Sequence, residues 1–273
     1  MDKKVVLITG ASAGIGKDTA VRLLKDGCIV YATARRLDHM ADLGALGATV
    51  LRMDVTSDAE VQAVVDQIMR EQGRVDVLVN NAGFGLYGSV EEVDLEAAHY
   101  QLEVNLFGMA RVSRAVIPHM RERRSGRIIN VSSIGGKIYT PLGSWYHASK
   151  HAVEGWSDCL RLELRQFGID VVIVEPGFIL TEFVDVMITP MRKVSGSGPY
   201  ANLVACIDKT LTHHCERTIG SQGRVIADAI ARIVWARRPR TRYAVGKYAT
   251  LAIGFRKCFG DRIYDKVMLT FIK

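Results

Sequence analysis

The sequence predicts an α/β fold with a doubly wound, Rossmann-like parallel sheet of about seven strands, formed as one domain over residues 1–273. Three features predict it. Short β-branched runs alternate with helical stretches over the first two-thirds of the chain. The runs are apolar at nearly every position, which is typical of parallel strands buried on both faces. The first run leads directly into a glycine-rich turn, and 273 residues suit a single α/β domain.

The elements follow in order. A helix is expected over residues 57–73, with Ser57 or Asp58 as its N-cap and an apolar face formed by Ala59, Val61, Val64, Val65 and Ile68. A second helix is expected over about residues 222–237, and a short strand at 242–246 completes the sheet. The earlier strands are predicted at residues 5–9, 28–34, 48–53, 75–80, 127–132 and 169–174.

Composition and charge argue against a membrane-spanning protein, a nucleic-acid-binding protein and a metal-binding protein. No apolar stretch reaches the roughly 18 residues of a membrane span, and the net charge of +7 has basic clusters at 121–127 and 236–242. These clusters lack aromatic residues between the charges, so a solvated face or an anionic ligand explains them better than nucleic acid. The cysteines have neither paired nor metal-ligand spacing, so we expect reduced thiols in the cytoplasm and no metal. They are Cys28, Cys159, Cys206, Cys215 and Cys258.

The turn TGASAGIG, residues 9–16, follows the first strand and opens a helix. Gly10 allows a tight turn, Gly14 lets a phosphate approach the backbone, and Gly16 allows close packing of helix and strand. The helix N-terminus then offers free N–H groups to a pyrophosphate. The turn therefore predicts a dinucleotide site.

A second motif is SWYHASK, residues 144–150, in which Tyr146 and Lys150 share one helix face. A neighbouring ammonium favours the phenolate, so we expect Lys150 to lower the pKa of Tyr146 from its ordinary value of about 10. Ser133 lies thirteen residues before Tyr146. The adjacent Ser132 points to the opposite side of an extended chain. His147 turns away from Tyr146 on the helix and is interpreted as a packing or surface residue.

Together these motifs resemble the short-chain dehydrogenase/reductase family. The resemblance covers about residues 4–181 and adds NNAG at 80–83, Asn105 in EVNLFG, and PGFILT at 176–181. It implies a nicotinamide-dependent interconversion of an alcohol and a ketone or aldehyde. Tyr146 would be the general acid or base and Ser133 would hydrogen-bond the substrate oxygen. Lys150 would hold the nicotinamide ribose, and Asn105 would anchor a water of a proton relay.

The resemblance also implies a set of cofactor-binding residues. Thr181 would reach the carboxamide and Asp54 would lie beside the adenine. The set is Gly10, Ser12, Gly14, Ile15, Gly16, Arg35, Arg36, Asp54, Val55, Asn81, Ala82, Gly83, Tyr146, Lys150, Pro176, Gly177, Ile179 and Thr181.

The end of the second strand indicates NADP(H) rather than NAD(H). NAD-binding relatives carry an acidic residue there, which binds the ribose 2′-hydroxyl. Here Ala34 takes that place and Arg35 and Arg36 follow. Guanidinium groups pair with a 2′-phosphate, which a carboxylate would repel.

The expected substrate pocket is bulky and apolar, so a lipophilic carbonyl or alcohol is predicted. The pattern is similar to the branch with 17β-hydroxysteroid and retinol dehydrogenases, where acyl-dihydroxyacetone-phosphate reduction also occurs. A non-catalytic NADP(H)-sensing module is the alternative. The pocket residues are Phe84, Leu86, Ile134, Tyr139, Leu142, Trp145, Phe178, Phe183 and Met187.

Two further segments have expected roles. Residues 178–221 have weak periodicity and include VSGSGP, which favours a substrate lid over an ordinary surface excursion. Residues 247–273 form an amphipathic tail, which is expected to pack on its own domain or a partner subunit rather than on a membrane surface. The family resemblance implies a homodimer or homotetramer.

Overall fold

The β-branched runs form a seven-stranded parallel sheet in the computed structural model, which describes residues 3–180, 183–217 and 219–270. The strands are β1 (Val5–Thr9), β2 (Ile29–Ala34), β3 (Thr49–Arg52), β4 (Val77–Asn80), β5 (Gly126–Val131), β6 (Ile169–Pro176) and β9 (Arg242–Val245). Their order across the sheet is β3-β2-β1-β4-β5-β6-β9. A separate two-stranded sheet pairs β7 (Ile179–Leu180) with β8 (Ser221–Gln222).

Helices cover both faces of the large sheet. They are α1 (Gly14–Lys25), α2 (Ala41–Ala45), α3 (Asp58–Gln72), α4 (Leu95–Leu102), α5 (Met109–Glu122), α6 (Ser144–Leu164), α7 (Phe183–Ser195), α8 (Ala201–Glu216), α9 (Gly223–Trp235) and α10 (Ala249–Thr270). A π-helical turn, Glu103–Gly108, joins α4 to α5. This arrangement confirms the predicted fold class.

Alternate residues of β1 enter two different cores, as a strand buried on both faces requires. Val6 and Ile8 pack with α1, α2 and α9. Val5 and Leu7 pack with α3, α5 and α6. The carboxyl ends of the strands meet at one edge, where ligands bind in open α/β sheets.

The predicted strands and helices are confirmed with shifts of one or two residues at their ends. In α3 the Ser57 side chain accepts from the backbone N–H of Glu60, so Ser57 is the N-cap. Ala59 is exposed, so the prediction that it belongs to the buried face was wrong. The other four predicted positions are buried.

Residues 178–221 contain two helices that the sequence pattern did not indicate, α7 and α8, with residues 196–200 between them. Pro190 lies inside α7. A proline is unfavourable within a helix, so apolar packing of α7 has overridden local propensity.

The tail forms α10, which has left-handed backbone at Gly260, with φ of 67°, between two helical segments. The Tyr264 hydroxyl donates to the carbonyl oxygen of Tyr139 at 2.9 Å. The Arg256 guanidinium lies 5.1 Å from the centre of the Tyr139 ring. The tail therefore packs on its own domain. None of the helices in the described ranges has the length and apolar character needed to cross a membrane.

Candidate active site

The glycine turn after β1 leaves no room for side chains at two of its positions. Gly10 has a φ of +67°, and a Cβ atom there would lie 2.8 Å from the Cα atom of Ala82. A Cβ atom on Gly16 would lie 2.4 Å from the carbonyl oxygen of Gly10. Gly14 also has positive φ, 53°. The turn therefore requires glycine for conformation and for close approach.

Thr9 joins this turn to the segment after β4. Its hydroxyl oxygen accepts from the backbone N–H groups of Asn81 and Ala82, each at 3.0 Å. The Asn81 side-chain amide donates in return to the carbonyl oxygens of Thr9 and Gly10, each at 3.0 Å. Sequence reasoning missed Thr9, because its partners lie more than seventy residues away.

The N-terminus of α1 is suited to an anion. Its N-cap, Ala13, makes no side-chain cap and the first turn has no acidic residue. Backbone N–H groups and the positive end of the helix dipole therefore face the turn, where Ser12 and Ile15 are half-buried. These features fit the pyrophosphate of a dinucleotide.

The end of β2 lies beside the turn, because the Ala11 N–H donates to the carbonyl oxygen of Thr33 at 3.0 Å. Arg35 and Arg36 follow β2 and are exposed. The Arg35 guanidinium donates to the hydroxyl of Tyr100 on α4 at 2.7 Å. Two cations thus directly follow Ala34, the position at which NAD-binding relatives carry a carboxylate.

Four other predicted cofactor residues lie at the same edge of the sheet. The Asp54 carboxylate accepts from the N–H and the hydroxyl of Thr56, at 3.0 and 2.9 Å. Val55 is buried against Gly108. Pro176 ends β6, and the Gly177 N–H donates to the carbonyl oxygen of Val245 at 2.8 Å. Ile179 lies in β7, and Thr181 lies outside the described residues.

Ser133 and Tyr146 are in contact. Ser133 follows β5 with extended backbone, and its hydroxyl accepts from the Gly135 N–H at 3.0 Å. It also interacts with the Tyr146 hydroxyl, whose pKa it lowers. Ser132 is buried elsewhere, with its Oγ atom 2.9 Å from the position that a Cβ on Gly136 would take.

Burial raises the pKa of Tyr146 to about 12, although the Ser133 hydroxyl lowers it. The prediction that Lys150 lowers this pKa was wrong for this arrangement. The reason is that aromatic rings of Tyr87, His147 and Phe183 surround Tyr146, with ring centres 5.6–5.8 Å away. Desolvation disfavours the phenolate, so the hydroxyl stays protonated at neutral pH.

Lys150 is buried, and its Nζ atom donates to the carbonyl oxygen of Val131 at 3.0 Å. Burial lowers its pKa to about 8, while attraction to Glu154 raises it. At neutral pH the ammonium form therefore predominates.

Asn105 lies in the π-helical turn and faces the NNAG segment. Its side-chain oxygen accepts from the Phe84 N–H, and its amide nitrogen donates to the Phe84 carbonyl and the Ser149 hydroxyl, all at 3.0 Å. A Cβ atom on Gly83 would lie 3.0 Å from the Asn105 oxygen and 3.8 Å from Lys150 Nζ. Gly83, Asn105 and Lys150 therefore adjoin one another.

His147 is a buried packing residue rather than a surface residue. Its Nε2 atom accepts from the Thr140 N–H at 3.0 Å, so the proton resides on Nδ1, which donates to the Gly135 carbonyl at 2.9 Å. Burial lowers its pKa, so the ring is neutral. His147 thereby ties both ends of the Gly135–Thr140 loop to α6, next to Ser133.

The predicted pocket residues divide between two apolar clusters. Leu142, Phe178, Phe183 and Met187 pack in a cluster with Tyr146 and with Tyr87, which the sequence did not single out. Phe84, Leu86 and Trp145 belong to an adjacent cluster with α4.

Two predicted residues belong to neither cluster. Ile134 begins a short 3-10 turn and is half-buried. Tyr139 faces α10 instead, where its hydroxyl donates to Asp265 at 2.7 Å.

The comparisons with known proteins agree with this geometry. The family model for short chain dehydrogenases matches residues 4–190. A 3-ketodihydrosphingosine reductase of Bacteroides thetaiotaomicron is 40% identical over 90% of this chain and 89% of its own length. Retinol dehydrogenase 8 of Bos taurus is 36% identical over 88% of this chain and 80% of its own length.

Solved structures are similar along nearly the whole chain. A short-chain dehydrogenase from Streptomyces avermitilis superimposes with a TM-score of 0.82 at 33% identity, over 99% of this chain and 96% of that one. A serine dehydrogenase bound to NADP+ has a TM-score of 0.76 at 27% identity, over 87% and 92%. A Burkholderia phymatum relative bound to NAD has a TM-score of 0.79 at 26% identity, over 98% and 95%. The chain therefore belongs to the short-chain dehydrogenase family of nicotinamide-dependent oxidoreductases.

Proposed function

We propose that this protein is an NADPH-dependent reductase that converts a lipophilic ketone or aldehyde to its alcohol. The observation that carries the proposal is the contact between Ser133 and a protonated Tyr146, beside Lys150 and the glycine turn. Acid chemistry, a buried cation and an anion-binding turn thus occur at one edge of the sheet. Such convergence is typical of an active site.

Tyr146 is the general acid of the proposed reaction. Its hydroxyl gives its proton to the oxygen of the substrate as the carbonyl becomes an alcohol. Reduced nicotinamide, when bound, supplies the hydride that the carbonyl carbon accepts. A phenol with a pKa of about 12 holds its proton at neutral pH, which is the form that a general acid for reduction needs.

Ser133 positions the substrate oxygen. Its hydroxyl oxygen already accepts from the Gly135 N–H, so its proton is available to donate. A donor aimed at this oxygen stabilises the negative charge that develops there. The buried ammonium of Lys150 adds positive potential nearby, since little solvent screens it.

The residues present fit a dinucleotide. Gly10, Gly14, Gly16 and the N-terminus of α1 would hold its pyrophosphate, and Lys150 would hold the nicotinamide ribose hydroxyls. Arg35 and Arg36 support the choice of NADP(H), because Ala34 offers no carboxylate to a ribose hydroxyl.

The apolar clusters around Tyr146 support a lipophilic substrate. Buried side chains from α7 and α8, such as Met187, Met191 and Val204, extend the apolar surface away from the phenol. The names of two relatives, a 3-ketodihydrosphingosine reductase and a retinol dehydrogenase, refer to substrates with long apolar chains. A long-chain keto lipid is therefore the first substrate class to test.

We also propose a homodimer or homotetramer in the cytoplasm. Large apolar side chains are exposed on the helices after β4, namely Leu95, Tyr100, Phe107 and Leu162, and such surfaces favour association. The cysteines with described side chains, Cys28, Cys159, Cys206 and Cys258, are all free thiols, which suits a reducing compartment.

The proposal is tested by following the loss of reduced-nicotinamide absorbance with a panel of carbonyl compounds. The panel contains long-chain keto lipids, steroids, retinal and acyl-dihydroxyacetone phosphate, with NADPH and NADH in parallel. Turnover of one lipophilic class with NADPH is expected. Tyr146→Phe should lower kcat by at least about a hundredfold, the usual contribution of a general acid, with NADPH affinity nearly unchanged.

Two results would overturn the assignment. Wild-type turnover that survives in Tyr146→Phe would exclude Tyr146 as the acid. Tight NADPH binding without turnover of any carbonyl compound would favour a non-catalytic NADP(H)-sensing module instead.

A further inference from the structure

A cluster of charged side chains surrounds a buried glutamate next to Lys150 on α6. Its centre is Glu154, one helical turn after Lys150 on α6 and 3% exposed. The Glu154 Oε2 atom lies 2.9 Å from Lys137 Nζ and 3.0 Å from Arg242 Nε. Arg242, from β9, also pairs with Asp158 at 2.5 Å. Four separate parts of the chain, including β6, contribute to this cluster.

Glu175 on β6 supplies a second buried carboxyl group. Its Oε1 atom is 3.4 Å from Arg242 Nε, the same nitrogen that pairs with Glu154, so the two carboxyl groups share one cation. Burial, and then the charge of Glu154, raise the pKa of Glu175 well above its usual value. Two cations contact the Glu154 Oε2 atom, so a negative charge in this pair of carboxyl groups is best compensated at Glu154.

This charge lies on the same helix face as Lys150, since residues four apart on a helix are neighbours. Both side chains are buried, so little water screens the attraction between them. The backbone at Gly136 packs against the helix between them: a Cβ atom there would lie 2.9 Å from both Glu154 Cγ and the Lys150 carbonyl oxygen.

We propose that Glu154 is a positioning residue for this active site, whose buried carboxylate keeps Lys150 in its ammonium form. The inference rests on the proposed role of Lys150 at the cofactor. Burial alone pushes Lys150 toward the neutral amine, and attraction to Glu154 opposes that push. The carboxylate thereby extends the pH range in which Lys150 can bind a ribose hydroxyl and support Tyr146.

The charged groups that face Glu154 determine how strongly its negative charge acts on Lys150. Lys137 approaches from the loop after β5 and Arg242 from β9. Glu175 faces it from β6, and Asp158 follows on α6 and is shared with Arg161. Because Lys137 and Arg242 also weaken the field of Glu154 at Lys150, the expected effect is smaller than that of an isolated carboxylate.

The test is the pH dependence of NADPH affinity, measured by fluorescence titration from about pH 6 to about pH 10, a range that spans the lysine titration. Wild-type affinity should fall above about pH 8, where Lys150 deprotonates. Lys150→Met should lack this alkaline fall, which identifies its source. In Glu154→Gln the fall should move to lower pH by about one unit, a tenfold change in the protonation constant. An unchanged fall, or a shift to higher pH, would overturn the proposal.

Two matched variants separate charge from packing. Glu175→Gln replaces the other buried carboxyl group of the cluster, which lies on β6 rather than one helical turn from Lys150, so the alkaline fall should move less than in Glu154→Gln. A shift as large as that of Glu154→Gln would overturn the proposal. Lys137→Met breaks the ion pair but leaves Glu154 charged, and Lys137 is partly exposed. In Lys137→Met the alkaline decrease in NADPH affinity should stay at the wild-type pH or move to higher pH. A move to lower pH would refute the electrostatic role of Glu154, and this test does not require Glu154→Gln to fold.

The pH profile of turnover provides a second readout. If the wild type turns over a carbonyl substrate, the alkaline limb of kcat/KM should move with the binding profile in each variant. If no substrate is turned over and the binding profiles still shift as expected, the proposed function fails and the role of Glu154 stands.

Discussion

Replacing Thr9 with valine tests whether the cofactor turn depends on a single hydroxyl oxygen. Thr9 is 1% exposed at the end of β1, and its Oγ1 atom accepts from the N–H groups of Asn81 and Ala82. Valine has nearly the same shape and lacks the acceptor. The variant therefore leaves two N–H groups without their partner and creates no cavity.

The size of the effect follows from those two bonds. A buried donor left without an acceptor costs about 1–3 kcal/mol, and both N–H groups are part-buried. We therefore expect Thr9→Val to lower the free energy of unfolding by about 2–4 kcal/mol. Thr9→Ser keeps the acceptor and removes one methyl group, which costs about 1 kcal/mol.

Urea unfolding followed by circular dichroism measures both free energies, and fluorescence titration measures NADPH affinity. Thr9→Val should also bind NADPH at least about tenfold more weakly, a change of about 1.4 kcal/mol in binding free energy. The reason is that the glycine turn and the Asn81–Gly83 segment lose the hydrogen bonds that join them. Equal stability and equal affinity of the valine and serine variants would refute the reasoning.

Three further predictions concern the pocket, the coenzyme and the lysine. Gly85→Ala places a Cβ atom 2.8 Å from Phe183 Cζ and should lower the free energy of unfolding in urea by about 1–3 kcal/mol. In a protein that already carries Phe183→Ala, Gly85→Ala should cause no further loss. A loss that persists there would show that Phe183 is not the cause. Ala34→Asp beside Arg35 should reduce the NADPH-to-NADH affinity ratio at least about tenfold, and an unchanged ratio in titrations would contradict the placement of the 2′-phosphate. Because the pKa of Lys150 is about 8 in the folded chain against 10.5 ordinarily, the folded protein binds fewer protons between these values. Wild-type stability should therefore rise with pH relative to Lys150→Met across that interval, and a constant difference in urea titrations would exclude the shift.

The fold was predictable because its signals are local. A β-branched run that is buried on both faces is apolar at nearly every position, as in residues 5–8 of β1 and 171–174 of β6. The glycine turn and the Tyr146–Lys150 pair are likewise short patterns with a physical reason for each residue. The relative positions of these candidate residues thus followed from spacing, since residues on one helix face or one strand side have fixed directions.

The surroundings of the site could not be predicted, because they depend on contacts between distant segments. Tyr87 and Phe183 flank Tyr146 from different parts of the chain, and their burial reverses the expected direction of the Tyr146 pKa shift. Tyr139 faces α10 because Asp265 and Tyr264, more than a hundred residues later, supply its partners. No local pattern encodes these pairings.

The Phe183 ring that packs on Tyr146 makes substrate binding a competition with the protein's own side chains. Tyr146 is 8% exposed and its ring centre lies 5.6 Å from that of Phe183, so we expect this ring to move aside when a carbonyl approaches the phenol. The apparent affinity of any ligand is then its intrinsic affinity multiplied by the open fraction of molecules. A long apolar chain replaces the ring contacts that opening removes, whereas a short polar aldehyde does not. Discrimination by chain length therefore arises from the free energy of opening, and release of the product depends on the same motion.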